Sequence, residues 1–178
     1  QRYWIDKSHA QLSGAPTLFY ICGEGACSET TKYLLIDHAS ELQTNIVVLE
    51  HRYYGKSQPF NDLSTENLKF LTIEQSLSDF VTFKRYAQTT YGLTENWITV
   101  GGSYPGVLSV LLRARYPQDF IGALGSSAPV IAENDFQDYD KHVATIIGDR
   151  CAARVREIID HIEEKIATQS GFVAVKKF

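Results

Sequence analysis

The sequence predicts an α/β fold in which a parallel sheet carries helices on both faces. Strand-like and helix-like segments alternate from residue 17 to residue 128, which is the pattern of parallel strands joined by crossover helices. Two of the strand segments, TLFYIC (17–22) and NIVVLE (45–50), are continuous apolar runs, as expected for strands buried on both faces. After Pro129 the alternation stops and helical patterns follow.

The length, charge and hydropathy of the chain exclude some classes of protein. The chain has 178 residues, of which 44% are apolar, enough for a sizeable core. Its formal charge of -4 argues against nucleic acid as a partner. No apolar run reaches the length of a membrane span, and the polar opening QRYWIDKSHAQLSG shows no signal-peptide pattern. We therefore expect neither a nucleic-acid nor a membrane partner, and no cofactor.

The first half of the alternation ends at residue 50. Ser28 is predicted to cap a helix that ends near residue 42, between the two apolar strands. The apolar positions predicted for this helix are Tyr33, Leu34, Ile36 and Leu42. HRYYGKSQPF, which follows the second strand, is predicted to be a loop.

The second half contains a strong helix, a strand, a helix and a last strand. Thr72 and Gln75 form a capping box at the start of the first helix, which Gly92 ends. Its predicted apolar face consists of Ile73, Leu77, Phe80 and Val81. WITV (97–100) is the third strand, a helix runs from about Tyr104 to Tyr116, and FIGALGSSA (120–128) begins as the fourth strand.

The pattern beyond residue 133 differs from the α/β part. Residues 135–168 are predicted to form two helices that meet at Gly148. The second carries an apolar stripe formed by Val155, Ile158, Ile159, Ile162 and Ile166. The change predicts a partial α/β core over 1–133 and the beginning of a helical subdomain or insertion over 134–178.

Ser103 lies in the stretch WITVGGSYPG, directly after a predicted buried strand and directly before a helix. This is the context of a nucleophile elbow, and the amide of Tyr104 at the helix N-terminus would face an oxyanion. Gly101 and Gly102 are expected to leave room for the turn. Pro105 departs from the small residue that the elbow pattern wants two places after the serine, and Gly106 supplies the close glycine instead. The alternative is a glycine-rich turn without chemistry.

The loop CGEGA, after the strand at 17–22, is placed to supply the second oxyanion donor. Gly23 and Gly25 let its backbone turn amides inward, and Glu24 either binds a substrate amine or shapes the loop. The alternative is an ordinary glycine turn. Cys22 and Cys27 bracket this loop as a candidate disulfide or as two free thiols, and the odd third cysteine, Cys151, is free or pairs outside the chain. The spacing of the cysteines does not fit a zinc site, so no metal is expected.

Several blocks resemble the family of prolyl carboxypeptidase, dipeptidyl peptidase II and the thymus-specific serine protease. They are EHRYYGKSQPF, LTIEQSLSDFV, GGSYPG and GSSAPV, and they occur in order over essentially the whole chain. The resemblance implies an α/β-hydrolase with a helical insertion, acting as a serine exopeptidase beside proline or a small residue. It implies a lysosomal, vesicular or secreted location, a peptide substrate, Ser103 as nucleophile, Tyr104 as oxyanion amide and the 23–25 loop as substrate loop. It leaves a homodimer open.

The resemblance also bears on single residues of the loop and on Cys151. Glu24 and Gly25 match the Glu-Gly loop of the family, whereas Cys22 and Gly23 depart from its commoner residues. Cys151 matches a family cysteine that pairs with one further along the chain.

The acid and the histidine of a triad are expected to follow Ser103, in the order Ser, Asp, His. His142 and His161 fit solvated helix positions better, His51 fits a loop-structuring role, and Asp135 is a weak candidate for the acid. We therefore expect a fragment of a longer enzyme that lacks the activating groups. The rival readings are an inactive relative or binding protein that keeps the elbow, and a lipase or esterase of the same fold.

Overall fold

The computed structural model describes residues 1–168, 172 and 176. These fall into two compact units, Gln1–Val130 and Ile131–Phe178, which are described separately. The strands are β1 (Tyr3–Asp6), β2 (Thr17–Ile21), β3 (Asn45–Leu49), β4 (Trp97–Gly102) and β5 (Gly122–Ser126). The α-helices are α1 (Ile36–Leu42), α2 (Ile73–Tyr91), α3 (Tyr104–Arg115), α4 (Gln137–Ile147) and α5 (Asp149–Ile166). Two short 3-10 helices cover Glu29–Leu35 and Asn67–Phe70.

The first unit is built on a five-stranded sheet with the order β1-β3-β2-β4-β5. The strands β3, β2, β4 and β5 are parallel, which confirms the predicted α/β alternation. One strand that was not predicted lies at an edge of the sheet, where β1 pairs antiparallel with β3. The sequence YWID is short and only half-buried, so its pairing with β3, and not an apolar run of its own, makes it a strand.

The core lies on both faces of this sheet, as the continuous apolar strands predict. Along β2, Phe19 and Ile21 pack into one cluster, while Leu18 packs into the other. The first cluster is closed by α2 and α3, and the second by the segment from Glu29 to Leu42. The helices therefore cover both faces of the sheet, and the carboxyl ends of its parallel strands stay open to loops.

The helix predicted after Ser28 has a different form. It begins as a 3-10 helix at Glu29 and becomes α-helical only at Ile36, although the predicted start is right: the Ser28 amide donates to Thr31 Oγ1 at 3.2 Å. Three of the predicted apolar positions are wrong, since Tyr33, Leu34 and Leu42 are 61%, 65% and 57% exposed. Leu35 and Ala39 are buried instead. A 3-10 helix has three residues per turn, so a pattern of 3.6 residues assigns the wrong face there.

The predicted capping of α2 is confirmed at both ends. Thr72 Oγ1 accepts a hydrogen bond from the Gln75 amide at 3.2 Å, and Gly92 ends the helix with a φ of 68°. Leu77, Phe80 and Val81 are buried as predicted. Ile73, in the first turn, is 36% exposed and was assigned to the buried face wrongly. The fourth strand begins at Gly122 and not at Phe120, because Phe120 is a core residue of the preceding turn.

The second unit contains α4 and α5, which meet at Gly148 as predicted. Gly148 has a φ of 80°, a conformation that glycine adopts without strain. The predicted stripe of α5 is partly exposed along its length, with each of its five side chains between 41% and 55% exposed. Within the described parts of both units, no helix has the length and apolar character needed to cross a membrane.

Candidate active site

Ser103 forms a sharp turn between the end of β4 and the start of α3. Its φ of 56° and ψ of -127° lie in a region that residues with a side chain rarely occupy. The turn is held by the Ser103 amide, which donates to the Ser126 carbonyl at 2.9 Å, and by the Val107 amide, which donates to the Ser103 carbonyl at 3.1 Å. The Ser103 side chain is exposed and makes no hydrogen bond with any described residue. Strained backbone that presents a free hydroxyl at the sheet edge is the geometry of a nucleophile elbow.

The glycines around Ser103 are not equivalent. A Cβ on Gly101 would lie 2.3 Å from the Pro105 carbonyl oxygen, so strand and helix approach too closely there for a side chain. A Cβ on Gly106 would lie 3.0 Å from the Cβ of Ala128, which agrees with its expected role as the close glycine. Gly102, in contrast, has no atom nearer than 3.9 Å. The expectation that both Gly101 and Gly102 make room for the turn is therefore wrong for Gly102.

The loop after β2 touches the first turn of α3. A Cβ on Gly23 would lie 2.5 Å from Pro105 Cγ, so the proline that departs from the elbow pattern packs directly on a glycine of the predicted substrate loop. Gly25 has open space around it. The two segments that the sequence nominated separately, 23–25 and 103–106, are thus neighbours in space.

A disulfide joins the two ends of this loop. The structure bonds Cys22 to Cys27, with their Cα atoms 6.3 Å apart, and both side chains are buried in the core cluster that contains Leu18. Cys151 is an exposed free thiol within the described residues. The loop is therefore a closed ring whose ends are in the core and whose middle is exposed.

Glu50 was not recognised from the sequence. It follows β3 directly and is fully buried, where Arg2 Nη2 donates to its Oε1 at 2.6 Å and Arg2 Nε donates to its Oε2 at 3.0 Å. Ser57 Oγ and the Cys27 amide donate to the same carboxylate at 2.5 and 3.1 Å. Burial alone would raise the pKa of Glu50, but these hydrogen bonds outweigh it and lower the pKa to about 2. The sequence feature that could have drawn attention to Glu50 is its position as a charged residue at the end of an otherwise apolar strand.

His51 and Tyr104 form a buried pair beside the elbow. His51 Nδ1 lies 2.6 Å from the Arg52 carbonyl, which can only accept, so this nitrogen carries the proton. His51 Nε2 is then the acceptor for the Tyr104 hydroxyl at 3.2 Å. Burial lowers the pKa of His51, which favours the neutral ring. Both nitrogens are occupied, which agrees with a structural role for His51 and makes it unsuited to take a proton from Ser103.

Glu24 lies close to this pair. Burial raises the pKa of the Tyr104 phenol, and the charges of Tyr54 and Glu24 add to that rise. The Glu24 side chain is exposed and has no hydrogen bond or ion pair among the described residues. An unpaired carboxylate therefore lies near the residue that follows Ser103.

The remaining triad candidates lie in the second unit. His142 and His161 are exposed on α4 and α5, as expected for solvated helix residues, and Asp135 Oδ2 accepts a hydrogen bond from Gln137 at 2.8 Å. Among the described residues, no histidine is hydrogen-bonded to Ser103. The same part of the chain holds no group of three or more His, Cys, Asp or Glu side chains placed to bind a metal.

The elbow, the neighbouring glycine loop and the fold agree with what comparison with known proteins shows. The model of the family described as serine carboxypeptidase S28 matches residues 1–178. The chain belongs to this family. It is 37% identical over 166 residues to a probable serine protease of Arabidopsis thaliana, covering 88% of this chain and 34% of the relative. It is 36% identical over 186 residues to the lysosomal Pro-X carboxypeptidase of Homo sapiens, covering 96% of this chain and 37% of the relative.

The chain thus spans about a third of the length of these relatives. Among solved structures, it is similar to a carboxylesterase of Bacillus cereus with a TM-score of 0.53 and 14% identity, over 75% of this chain and 62% of the other. At this identity the likeness shows the fold alone. The predicted family and the α/β-hydrolase fold are both confirmed.

Proposed function

We propose that the protein of which this sequence is part is a serine exopeptidase that cuts peptides beside proline or a small residue. The observation that carries the proposal is the strained elbow at Ser103, with an exposed hydroxyl, in a chain of the serine carboxypeptidase S28 family. The names of the relatives support the substrate class: one is a probable serine protease and another a lysosomal Pro-X carboxypeptidase.

In the proposed reaction, Ser103 Oγ attacks the carbonyl carbon of the scissile bond and forms an acyl-enzyme, and the amine half of the substrate leaves with a proton. Water then attacks the acyl-enzyme, which releases the acid and restores the hydroxyl. The developing oxyanion is bound by the Tyr104 amide, at the N-terminus of α3, and by an amide of the 23–25 loop. Residues 22 to 25 follow β2 and Ser103 follows β4, so both donors lie at the same edge of the parallel strands.

A serine hydroxyl needs a base that takes its proton. We propose that none of His51, His142 and His161 is this base, since His51 has both nitrogens occupied and the other two are helix-surface residues. The base and the acid are expected to follow Ser103 in the complete protein, beyond the α/β core over 1–133 and the helical insertion that begins over 134–178. The human relative is named a lysosomal Pro-X carboxypeptidase, which supports a lysosomal, vesicular or secreted location for this enzyme.

The test is Ser103→Ala in the protein at its full natural length. Wild-type protein is expected to react with a fluorophosphonate and to release product from Xaa-Pro peptides, and Ser103→Ala to reduce both to background. Ser13→Ala is the matched control, because Ser13 is an exposed serine in the loop before β2, at the opposite edge of the sheet. It is expected to keep the wild-type rate.

Three results would contradict the proposal in different ways. Cleavage by Ser103→Ala at the wild-type rate would mean that another residue is the nucleophile. Wild-type protein that hydrolyses esters but no peptide would be an esterase. Wild-type protein that neither labels nor cleaves would be a binding protein or an inactive relative that keeps the elbow.

A further inference from the structure

We infer that the Cys22–Cys27 disulfide and the Arg2–Glu50 ion pair act together to hold the 23–26 loop against the nucleophile helix, which sets the rate of the chemical step. The inference rests on the proposed function, in which an amide of this loop binds the oxyanion. In this view the two cysteines, Arg2 and Glu50 are positioning residues: they touch the loop and not the substrate.

The loop has almost nothing else to hold it. Residues 23–26 make no hydrogen bond with any described residue, and two of the four are glycines. Glycine has more backbone freedom than any other residue, so a loop of this composition would sample many conformations. Its unbonded amides are available to a ligand, but only an ordered loop can present them at a fixed place.

The two ends of the loop are fixed, in contrast. The Cys22 amide donates to the Leu49 carbonyl at 3.2 Å, which continues the pairing of β2 with β3. At the other end, the Cys27 amide donates to Glu50 Oε1 at 3.1 Å, and the Cys27 carbonyl accepts from Arg2 Nη2 at 2.9 Å. The disulfide closes the ring between these ends.

The carboxylate that holds Cys27 is itself fixed. Glu50 is fully buried and accepts from Arg2 and Ser57, and a Cβ on Gly55 would lie 1.9 Å from its Oε1, so the loop after β3 wraps tightly around it. On its open side the ring touches Pro105 through Gly23, where no side chain fits. The loop is therefore held in place by the sheet, by the disulfide and by α3.

Because these restraints hold the loop, we expect their loss to lower kcat by more than a general loss of stability would. A disulfide that closes so short a ring removes less entropy from the unfolded chain than one that closes a long ring, so its loss is expected to lower global stability no more than truncation of a buried leucine does. Loss of one oxyanion donor lowers kcat by roughly 100-fold to 1,000-fold in serine hydrolases, and a loosened donor loses part of that. The double variant Cys22→Ala/Cys27→Ala is thus expected to lose kcat about 10-fold or more, with KM changed less than about twofold.

The experiment compares this double variant with wild-type protein of full natural length, using an Xaa-Pro peptide. Leu35→Ala is the control, because Leu35 is buried in the same core cluster as the two cysteines but does not belong to the ring. It is expected to lower the melting temperature at least as much as the double variant and to keep the wild-type kcat. Gly23→Ala, with both cysteines intact, tests the same ring from its open side and is expected to lower kcat in the same way.

A second readout does not depend on activity. Endoproteinase Glu-C cuts after glutamate, and Glu24 lies exposed at the middle of the ring. Cleavage after Glu24, measured by mass spectrometry relative to cleavage after the exposed Glu133, is expected to be slow in wild-type protein and in Leu35→Ala. It is expected to be at least about 10-fold faster in the double variant, since cutting requires a segment that can open locally.

Each outcome decides the inference. It is supported by a fall in kcat with constant KM and faster cleavage after Glu24 in the ring variants only. It is overturned by a wild-type kcat in the double variant, by a change confined to KM, or by an equal loss of kcat in Leu35→Ala. If wild-type protein has no peptidase activity, the proposed function fails by itself, and unchanged cleavage after Glu24 would then overturn the restraint of the ring independently.

Discussion

Gly101 and Gly102 are adjacent glycines before Ser103, and the structure predicts that the same substitution is severe at Gly101 and nearly neutral at Gly102. A Cβ on Gly101 would lie 2.3 Å from the Pro105 carbonyl oxygen, 2.4 Å from its carbonyl carbon and 2.8 Å from the Gly106 amide nitrogen. All three are backbone atoms of the first turn of α3, so no side chain can rotate away. A Cβ on Gly102 would have the Ser126 carbonyl oxygen at 3.9 Å as its nearest neighbour.

The expected changes in the free energy of unfolding follow from these distances. To restore ordinary contacts, Gly101→Ala must push α3 away from β4 by roughly 1 Å, which belongs to the severe end of overpacking, at about 3 kcal/mol of lost stability. Gly102→Ala meets no such contact and removes a glycine from the unfolded chain, so its effect is expected to lie within about 0.5 kcal/mol of zero or to be slightly stabilising. The difference between the two variants is about 3 kcal/mol, and it comes from position alone.

The assay is urea unfolding of both variants at full natural length, followed by tryptophan fluorescence. With an m-value of about 1–3 kcal/mol per molar urea, 3 kcal/mol corresponds to a midpoint lowered by about 1–3 M for Gly101→Ala. Trp97 lies at the start of β4 and is fully buried, so it reports on this strand. Equal midpoints for the two variants would refute the close approach of β4 and α3 at the elbow.

Two further predictions concern the buried polar groups beside the site. Arg2→Met leaves the buried Glu50 carboxylate without its ion-pair partner and is expected to lower the urea midpoint, whereas Arg85→Met, at an exposed pair, should leave it nearly unchanged. The pKa of Glu50 is lowered to about 2 from an ordinary value near 4.5, so its contribution to the free energy of unfolding is complete above pH 4.5 and is lost as the pH falls towards 2. In acid unfolding curves, the stabilities of the Arg2→Met and Arg85→Met variants should therefore converge near pH 2. Tyr104→Phe removes the donor to His51 Nε2 and is expected to cost about 1–3 kcal/mol at pH 8. Since burial lowers the pKa of His51, the unfolded chain binds more protons below about pH 6.5 and wild-type stability should fall there, and a flat profile from pH 8 to pH 5 in a His51→Gln variant would assign that fall to His51.

Much of the fold follows from patterns within single segments. The strands at β2, β3 and β4 and the caps of α2 were predictable because an apolar run, a Thr72–Gln75 pair and Gly92 each act locally. The segment after Ser28 was predicted less well, since the residues that face the core are different when the segment begins as a 3-10 helix and not as an α-helix. The strand β1 was missed for a related reason: its four half-buried residues become a strand only by pairing with β3, 40 or more residues away along the chain.

The sequence by itself determined the alternation of strands and helices, the elbow at Ser103 and the family, because each depends on residues that are adjacent in the chain. It also nominated the CGEGA loop, but from its place after a strand and not from any contact. Only the tertiary structure decided that Gly23 rests on Pro105, that Glu50 and Arg2 hold Cys27, and that His51 is occupied by Tyr104. These contacts join residues between 23 and 82 positions apart, and a local sequence pattern does not show which of such residues lie close together in space. The packing of the sheet brings them together, and with them the surroundings of the serine.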